Sequence, residues 1–385
     1  MRLAVNAISI APGGGLTVLI GLLRAWREIG ADLDITVFAS RDSVLRAIRS
    51  CRSDLKTVPV LANSPSWKRF VYERVWLGRL VDAVKPDVVL TTNWLVGRCR
   101  APQIVHHQNL WHFIPRIPRQ SLLPGGLRLL VQNWAAREAL REAQANVFIS
   151  HYMKRQAERI LPGAASRYHV IYNGLPSDTT RSPKQPTASF PESAGLLAIT
   201  SALPHKGNPI LVHALANLVH QRPDVPWHLN VVGVGEKDMT SERRIAKHLG
   251  VSDQITWLGF ASPERVEFML RASFCLLFTS TLEAFGLPII EAMAASCPVV
   301  ASNCTAIPEI VGEAGILVEP GNAAQFADAV LTLYGNRALR QELVDRGLAR
   351  VPKFSWQVSA SQFFQLVETL LSPGKHAIGP RHEQI

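Results

Sequence analysis

FCLLFTSTLEAFGLPIIEAMAASCPVVAS, residues 274–302, has the pattern of a strand, a loop, a helix and a second strand. Both strand segments are short and apolar almost throughout, as strands buried on two faces are. Pro288 suits the first turn of the intervening helix, where a missing N–H costs nothing. The backbone N–H groups of Phe285, Gly286 and Leu287 then become donors at a helix N-terminus, a ready site for phosphate or sugar oxygens. Gly286 allows close backbone approach. Glu283 falls in the loop before the helix and Glu291 about one turn into it. Two carboxylates so placed could grip the hydroxyl groups on either side of a bound diphosphate. On the residues alone an equal reading stands: Glu283 caps the helix and Glu291 is a solvated helix residue.

The same alternation extends in both directions. Downstream of residue 195 it runs GLLAIT, helix 209–220, WHLNVVG, helix 242–249, QITWLG, helix 263–272, and after the quoted unit GILVEP and helix 323–334. Upstream it runs MRLAVNAI, helix 17–29, LDITVFAS, DVVLTTN, QIVHHQ, helix 135–143, ANVFIS and YHVIYN. Strands alternating with helices predict an α/β chain of two doubly wound domains, with ligands expected beyond the carboxyl ends of the strands in a shared cleft. A Pro/Ser/Thr-rich stretch interrupts the pattern. The expected organisation is a first domain over 1–178, a linker over 179–193, a second domain over 194–356, and a loose tail over 372–385.

Composition narrows the classes. The chain has 385 residues, 47% of them hydrophobic, enough for two cores. Its five cysteines are scattered without close pairs, which excludes a disulfide framework or a cysteine metal site and fits reduced thiols in the cytoplasm. No run approaches the roughly 18 apolar residues that span a bilayer, and the N-terminus reads as a first buried strand. The net charge of +11 is uneven: residues 1–185 carry 26 Lys+Arg against 12 Asp+Glu, or +14, and the remainder 15 against 18, or −3. So basic a first half suits an anionic partner or, equally, solubility. A nucleic acid is disfavoured because no helix-turn-helix or aromatic-studded sheet motif is present and the phosphate-gripping residues lie in the acidic half.

The first half has its own candidates. Pro12-Gly13-Gly14-Gly15 follows the first strand and can bring backbone donors against a diphosphate, though a tight strand–helix turn needs glycine anyway. His106 and His107 stand at the carboxyl end of a strand. Residues 67–76, WKRFVYERVW, mix large aromatics with cations at helical spacing. They suit either an anionic membrane surface or an ordinary amphipathic helix.

Two glutamates with seven residues between them around FGLP, followed by EAMAASCPVVAS, resemble the signature of glycosyltransferase family 4, a retaining family of the GT-B fold. ITSALPHKGNPILVHAL, LNVVGVGE, ITWLGFASPERVEFMLRAS, GILVEPGN and the late FSW line up in the order of that family. The likeness covers residues 195–371 well and the first half more loosely.

The resemblance implies transfer of a sugar from a nucleoside diphosphate sugar to a carbohydrate or lipid-linked acceptor. Lipid-linked or cell-surface polysaccharide assembly is the favoured setting, in the cytoplasm or on the inner membrane face. By it Glu291 holds the donor ribose, Glu283 contacts the transferred sugar, and the backbone after Phe285 meets the sugar and diphosphate. Lys206 neutralises the diphosphate, Phe260 lies at the base, and Gly14 and Gly15 are donor-binding residues that line the cleft at the donor pyrophosphate or the acceptor. His107 stands beside the anomeric carbon, with His106 on the other face. The last helix, 357–371, packs back on the first domain. No cofactor or metal is required. The one D-x-D motif, Asp32-Leu-Asp34, sits at a strand start rather than at a strand end. Many relatives carry an arginine where this chain has Thr200 and Ser201. A phosphorylase or sugar-nucleotide epimerase would share the fold, and a basic nucleic-acid-binding protein is the remaining alternative.

Overall fold

A computed structural model describes residues 1–114, 125–176 and 195–372. The linker expected at 179–193, and the tail expected at 372–385 except Ser372, lie outside them. The chain divides into two compact units: one holds Met1–Gly174 and takes the chain back from Trp356, and the other holds Leu175–Ser355.

The first unit is built on seven parallel strands: β1 (Arg2–Asn6), β2 (Asp34–Ala39), β3 (Lys56–Pro59), β4 (Val88–Thr92), β5 (Gln103–His107), β6 (Ala145–Phe148) and β7 (Tyr168–Val170). Their order is β3-β2-β1-β4-β5-β6-β7. Side chains alternate between two buried faces, as the unbroken apolar runs require. Leu3 and Val5 of β1 and Val88 and Leu90 of β4 face one core, while Ala4 and Val89 face the other. The edge strand β3 was not legible in the sequence because KTVP carries too little apolar character; neither end of it is buried.

Trp356–Leu371 belongs to the first core. Its Trp356, Ala360 and Phe363 pack among Val18, Leu19 and Leu22 of the helix Gly14–Glu28. The Trp26 indole donates to the Ala360 carbonyl (3.1 Å), and a Cβ on Gly21 would come within 2.2 Å of the Trp356 ring. Only glycine lets the helices approach this closely.

The second unit has six parallel strands: β8 (Gly195–Ile199), β9 (His228–Val232), β10 (Ile255–Gly259), β11 (Cys275–Phe278), β12 (Val299–Ser302) and β13 (Ile316–Val318). They run in the order β10-β9-β8-β11-β12-β13. β11, the helix Leu287–Ala294 and β12 form the unit read at 274–302. The helix Arg337–Arg350 escaped sequence reading because only Leu343, Val344 and Gly347 of its fourteen residues are buried. All five cysteines are free thiols.

Candidate functional site

Strand order reverses between β8 and β11 in the second unit, the place where open α/β sheets take their ligands. Lys206 ends a single 3-10 turn, Pro204–Lys206, that closes on Gly207 at φ 67°. A Cβ on Gly207 would meet the Thr279 carbonyl at 2.4 Å, so the loop after β8 presses directly on the end of β11. The Thr279 hydroxyl lies 3.0 Å from the Lys206 carbonyl and 3.2 Å from that of Gly207, and the Thr281 N–H donates to the His205 carbonyl at 2.8 Å. This lacing brings together two residues 77 apart in sequence: Lys206 Nζ lies 2.6 Å from Glu283 Oε1, with 21% and 13% of the side chains exposed. The ammonium also stands 6.0 Å from the Phe278 ring centroid.

Glu283 is held from behind, its N–H donating to Thr305 Oγ1 at 3.0 Å. Phe285 is buried edge-on to Phe354, 5.9 Å between centroids, and so anchors the turn into the helix. Gly286 caps that helix at φ 111°, a conformation other residues rarely adopt. Among the described residues no backbone acceptor takes the N–H of Gly286 or Leu287. Glu291 lies one turn further on. Its carboxyl has neither hydrogen bond nor ion pair among the described residues, and burial pushes it up to about 7. Some of its surface stays accessible. Phe260 follows the bulged end of β10 and is 93% exposed, so it does not serve as a packing aromatic.

The position of the arginine found in relatives is occupied by a local network. Thr200 Oγ1 donates to Asn208 Oδ1 (2.7 Å), and Asn208 Nδ2 donates to the Ser201 carbonyl (2.8 Å).

The first unit reverses its strand order between β1 and β4. A cavity of about 330 Å³ lies there, lined by Gly13–Gly15, Arg69, Trp94, Gln108, Asn109 and His112 among others. A Cβ on Gly15 would be 3.4 Å from Gln108 Oε1, so the glycine turn and the loop after β5 face one another. Glu73, 1% exposed, holds the cavity wall. It accepts from Asn6 Nδ2 (2.9 Å), Ser9 Oγ (2.7 Å) and the Trp94 indole (3.2 Å). Burial pushes its carboxyl up, and these hydrogen bonds pull it back.

His107 does not line this cavity. It has no exposed surface, its Nε2 lies 2.8 Å from Asn146 Oδ1, and its ring stacks on Phe148 at 4.9 Å. Burial lowers it to about 4, so it is neutral. In this structure the ring packs in the core and does not face the cavity. His106 points to the opposite face, edge-on to Phe363 at 5.1 Å. Both histidines are still within the strand, where side chains are committed to the two cores. Gln108 and Asn109, just past its end, are the ones that reach the cavity. That offset was readable from the strand boundary. The contribution of Arg69 was not, because it lies in a segment singled out for its aromatics, and that of His112 was not, because it follows the strand by five residues. Asp34 of the D-x-D motif pairs with Lys56 at 2.8 Å at the start of β2, at the opposite end of the first sheet from its cavity.

The model of Glycosyltransferase Family 4 matches residues 12–179, and that of Glycosyl transferases group 1 matches residues 182–350. The chain is 36% identical over 179 residues to a phosphatidyl-myo-inositol mannosyltransferase of Mycobacterium tuberculosis, covering 44% of this chain and 46% of the relative. It is 35% identical over 108 residues to O-antigen chain mannosyltransferase B of Escherichia coli, 28% of each. The chain thus spans about half or less of the length of these curated relatives. Among solved structures, Anabaena Alr3699/HepE in complex with UDP and glucose superposes with a TM-score of 0.71 at 19% identity, covering 96% of this chain and 100% of that one.

Proposed function

Because the chain belongs to glycosyltransferase family 4, its two halves matched in order by the two family models, we propose that it moves a sugar from a nucleoside diphosphate sugar to an acceptor hydroxyl. Retention of the anomeric configuration and a place in lipid-linked or cell-surface polysaccharide assembly are part of the proposal. The O-antigen and phosphatidyl-inositol acceptors in the names of relatives support that setting. Reduced thiols support a cytoplasmic site of action. No described helix is long and apolar enough to cross a membrane.

The observation that carries the reading is the Lys206–Glu283 pair beside the unpartnered Glu291. Breaking the bond to the leaving diphosphate places negative charge on it and oxocarbenium character on the sugar. Lys206 and the N–H groups of Gly286 and Leu287 stabilise the first charge from fixed positions. In the unliganded chain Glu283 occupies the ammonium. When a diphosphate takes that ammonium, Glu283 is released to accept hydroxyls of the sugar. Glu291, dehydrated and without a donor, takes the ribose hydroxyls. Phe260 offers a face for the base, and Gly14 and Gly15 contribute backbone donors on the acceptor side. These groups do the work of a divalent metal, so chelation leaves turnover intact.

Calorimetric titration with UDP and with GDP, for the parent and Lys206→Ala, tests the assignment. Binding of one nucleotide that weakens at least tenfold in the variant is expected. Equal affinity in both proteins would remove Lys206 from the donor site.

A further inference from the structure

The helix Ser66–Val75 serves two surroundings at once. Its inner side supplies Arg69 and Phe70 to the cavity and the buried Glu73 to the network behind it. Its outer side carries Trp67, Val71 and Val75 at successive fourth positions, all exposed, with Trp67 at 64%. Trp76 and Leu80 continue this apolar surface into the next helix, Leu77–Ala83. Arg74 joins it to the helix Gly125–Glu142: its guanidinium pairs with Glu138 and lies 5.6 Å over the ring of Trp134. That second helix exposes Leu130, Val131 and Trp134, the last at 57%. Isolated exposed hydrophobics are common on soluble proteins, but eight on adjoining helices, three of them tryptophans, mark an interaction surface.

The charges around it select the partner. Lys68, whose ammonium lies 5.5 Å from the Trp67 ring, Arg79, Arg137 and Arg141 are exposed along the same helices. The acidic groups there are Glu138, taken by Arg74, Asp82, which accepts the Arg100 N–H, and the exposed Glu142. Tryptophans flanked by an excess of cations suit the headgroup region, where indole rings settle and anionic lipids attract lysine and arginine. A protein partner of high affinity would favour fewer cations at the centre of the patch.

We propose that this aromatic and basic face of the first unit docks on an anionic bilayer, with the wall of the acceptor-side cavity formed by the inner side of the same helix. The link to a lipid-linked acceptor rests on the transferase reading; the docking itself rests on the exposed face. The test is co-flotation of the full chain with vesicles of neutral phosphatidylcholine and with vesicles also containing phosphatidylglycerol, at low and high salt. Binding is expected to the anionic vesicles and to weaken at high salt. Trp67→Ser with Trp134→Ser should lower it about tenfold, and Lys68→Glu, which leaves the aromatics in place, severalfold.

Vesicle binding that is absent, indifferent to lipid charge, or unchanged in both variants overturns the proposal. So does a dimer in light scattering that Trp67→Ser converts to monomer, since a second copy would then cover the face. Nucleotide titration of the same variants without lipid separates the two readings. Vesicle binding without nucleotide binding leaves the surface and removes the transferase reading, and the converse result removes only the surface.

Discussion

The two sheets reverse their strand order in the same way, yet the crevices at the two reversals are furnished oppositely. At β8/β11 the groups are charged and in part uncommitted: Lys206 and Glu283 paired across two loops, and Glu291 dehydrated without a donor. At β1/β4 the buried acid, Glu73, has its hydrogen bonds filled by Asn6, Ser9 and Trp94, and the cavity histidine, His112, is held neutral by burial that lowers it to about 3. A carboxyl that accepts three hydrogen bonds helps to build a wall, whereas one that accepts none among the described residues is left available to a ligand. The fold supplies the crevice, and the state of its polar groups distinguishes a frame from a site.

Five substitutions sharpen or break this contrast. The largest effect is expected from Lys206→Ala: a fall in turnover of about 10²–10³-fold, the usual result of removing one fixed donor to a developing anion. It would be read as kcat/KM with whichever sugar nucleotide binds, while the melting temperature changes little. A variant that stays active but melts early would make the Lys206–Glu283 pair a structural feature instead.

Glu73→Ala should act the other way. It strands three buried donors, for a loss of about 3 kcal/mol in denaturant unfolding, while nucleotide affinity of the folded fraction is kept. The two glycine turns give the next step. Gly207→Ala forces a side chain to φ 67° against the Thr279 carbonyl, and should cost about 1–2 kcal/mol and weaken nucleotide binding by displacing Lys206. Gly14→Ala has open space around its Cβ and lies in the first turn of a helix, so stability should hold or rise. Equal penalties at both positions would show that the close approach of the β8 and β11 loops is not special.

The smallest effect belongs to Glu291→Gln and is visible only through pH. A carboxyl raised from 4.5 to about 7 keeps its proton longer in the folded chain than in the unfolded one. Stability therefore falls as pH rises between those values, and the full penalty stands above pH 7. The glutamine variant should be more stable than the parent above pH 7 by about 1–2 kcal/mol, with the gain vanishing below pH 4.5. Nucleotide affinity of the parent should rise as pH passes 7 and the carboxylate forms, and lose that dependence in the variant. A pH-independent difference would mean that Glu291 is hydrated rather than poised.

Much of the candidate site in the second unit could be read because its parts are local. The loop–helix unit at 280–291 holds Glu283, Gly286 and Glu291 close together in the chain, and Pro288 marks where the helix starts. Lys206 was legible only as a cation at a strand end, since its partner lies 77 residues away. The cavity of the first unit was harder to see. It draws on loops after three strands and on a helix whose inner side is hidden among residues notable for their outer one. His107 shows the same limit: its type suggested chemistry, and its place inside β5 gave it to the core.

By itself the sequence determined two parallel α/β sheets and the helix start marked by Pro288, while the return of the last helix to the first unit came only through the family resemblance. The first two depend on apolar periodicity or on residues close enough in the chain to constrain one another directly. Only the tertiary structure decided which polar groups are satisfied. That depends on burial and on partners brought from distant segments, and it separates the poised Glu291 from the committed Glu73.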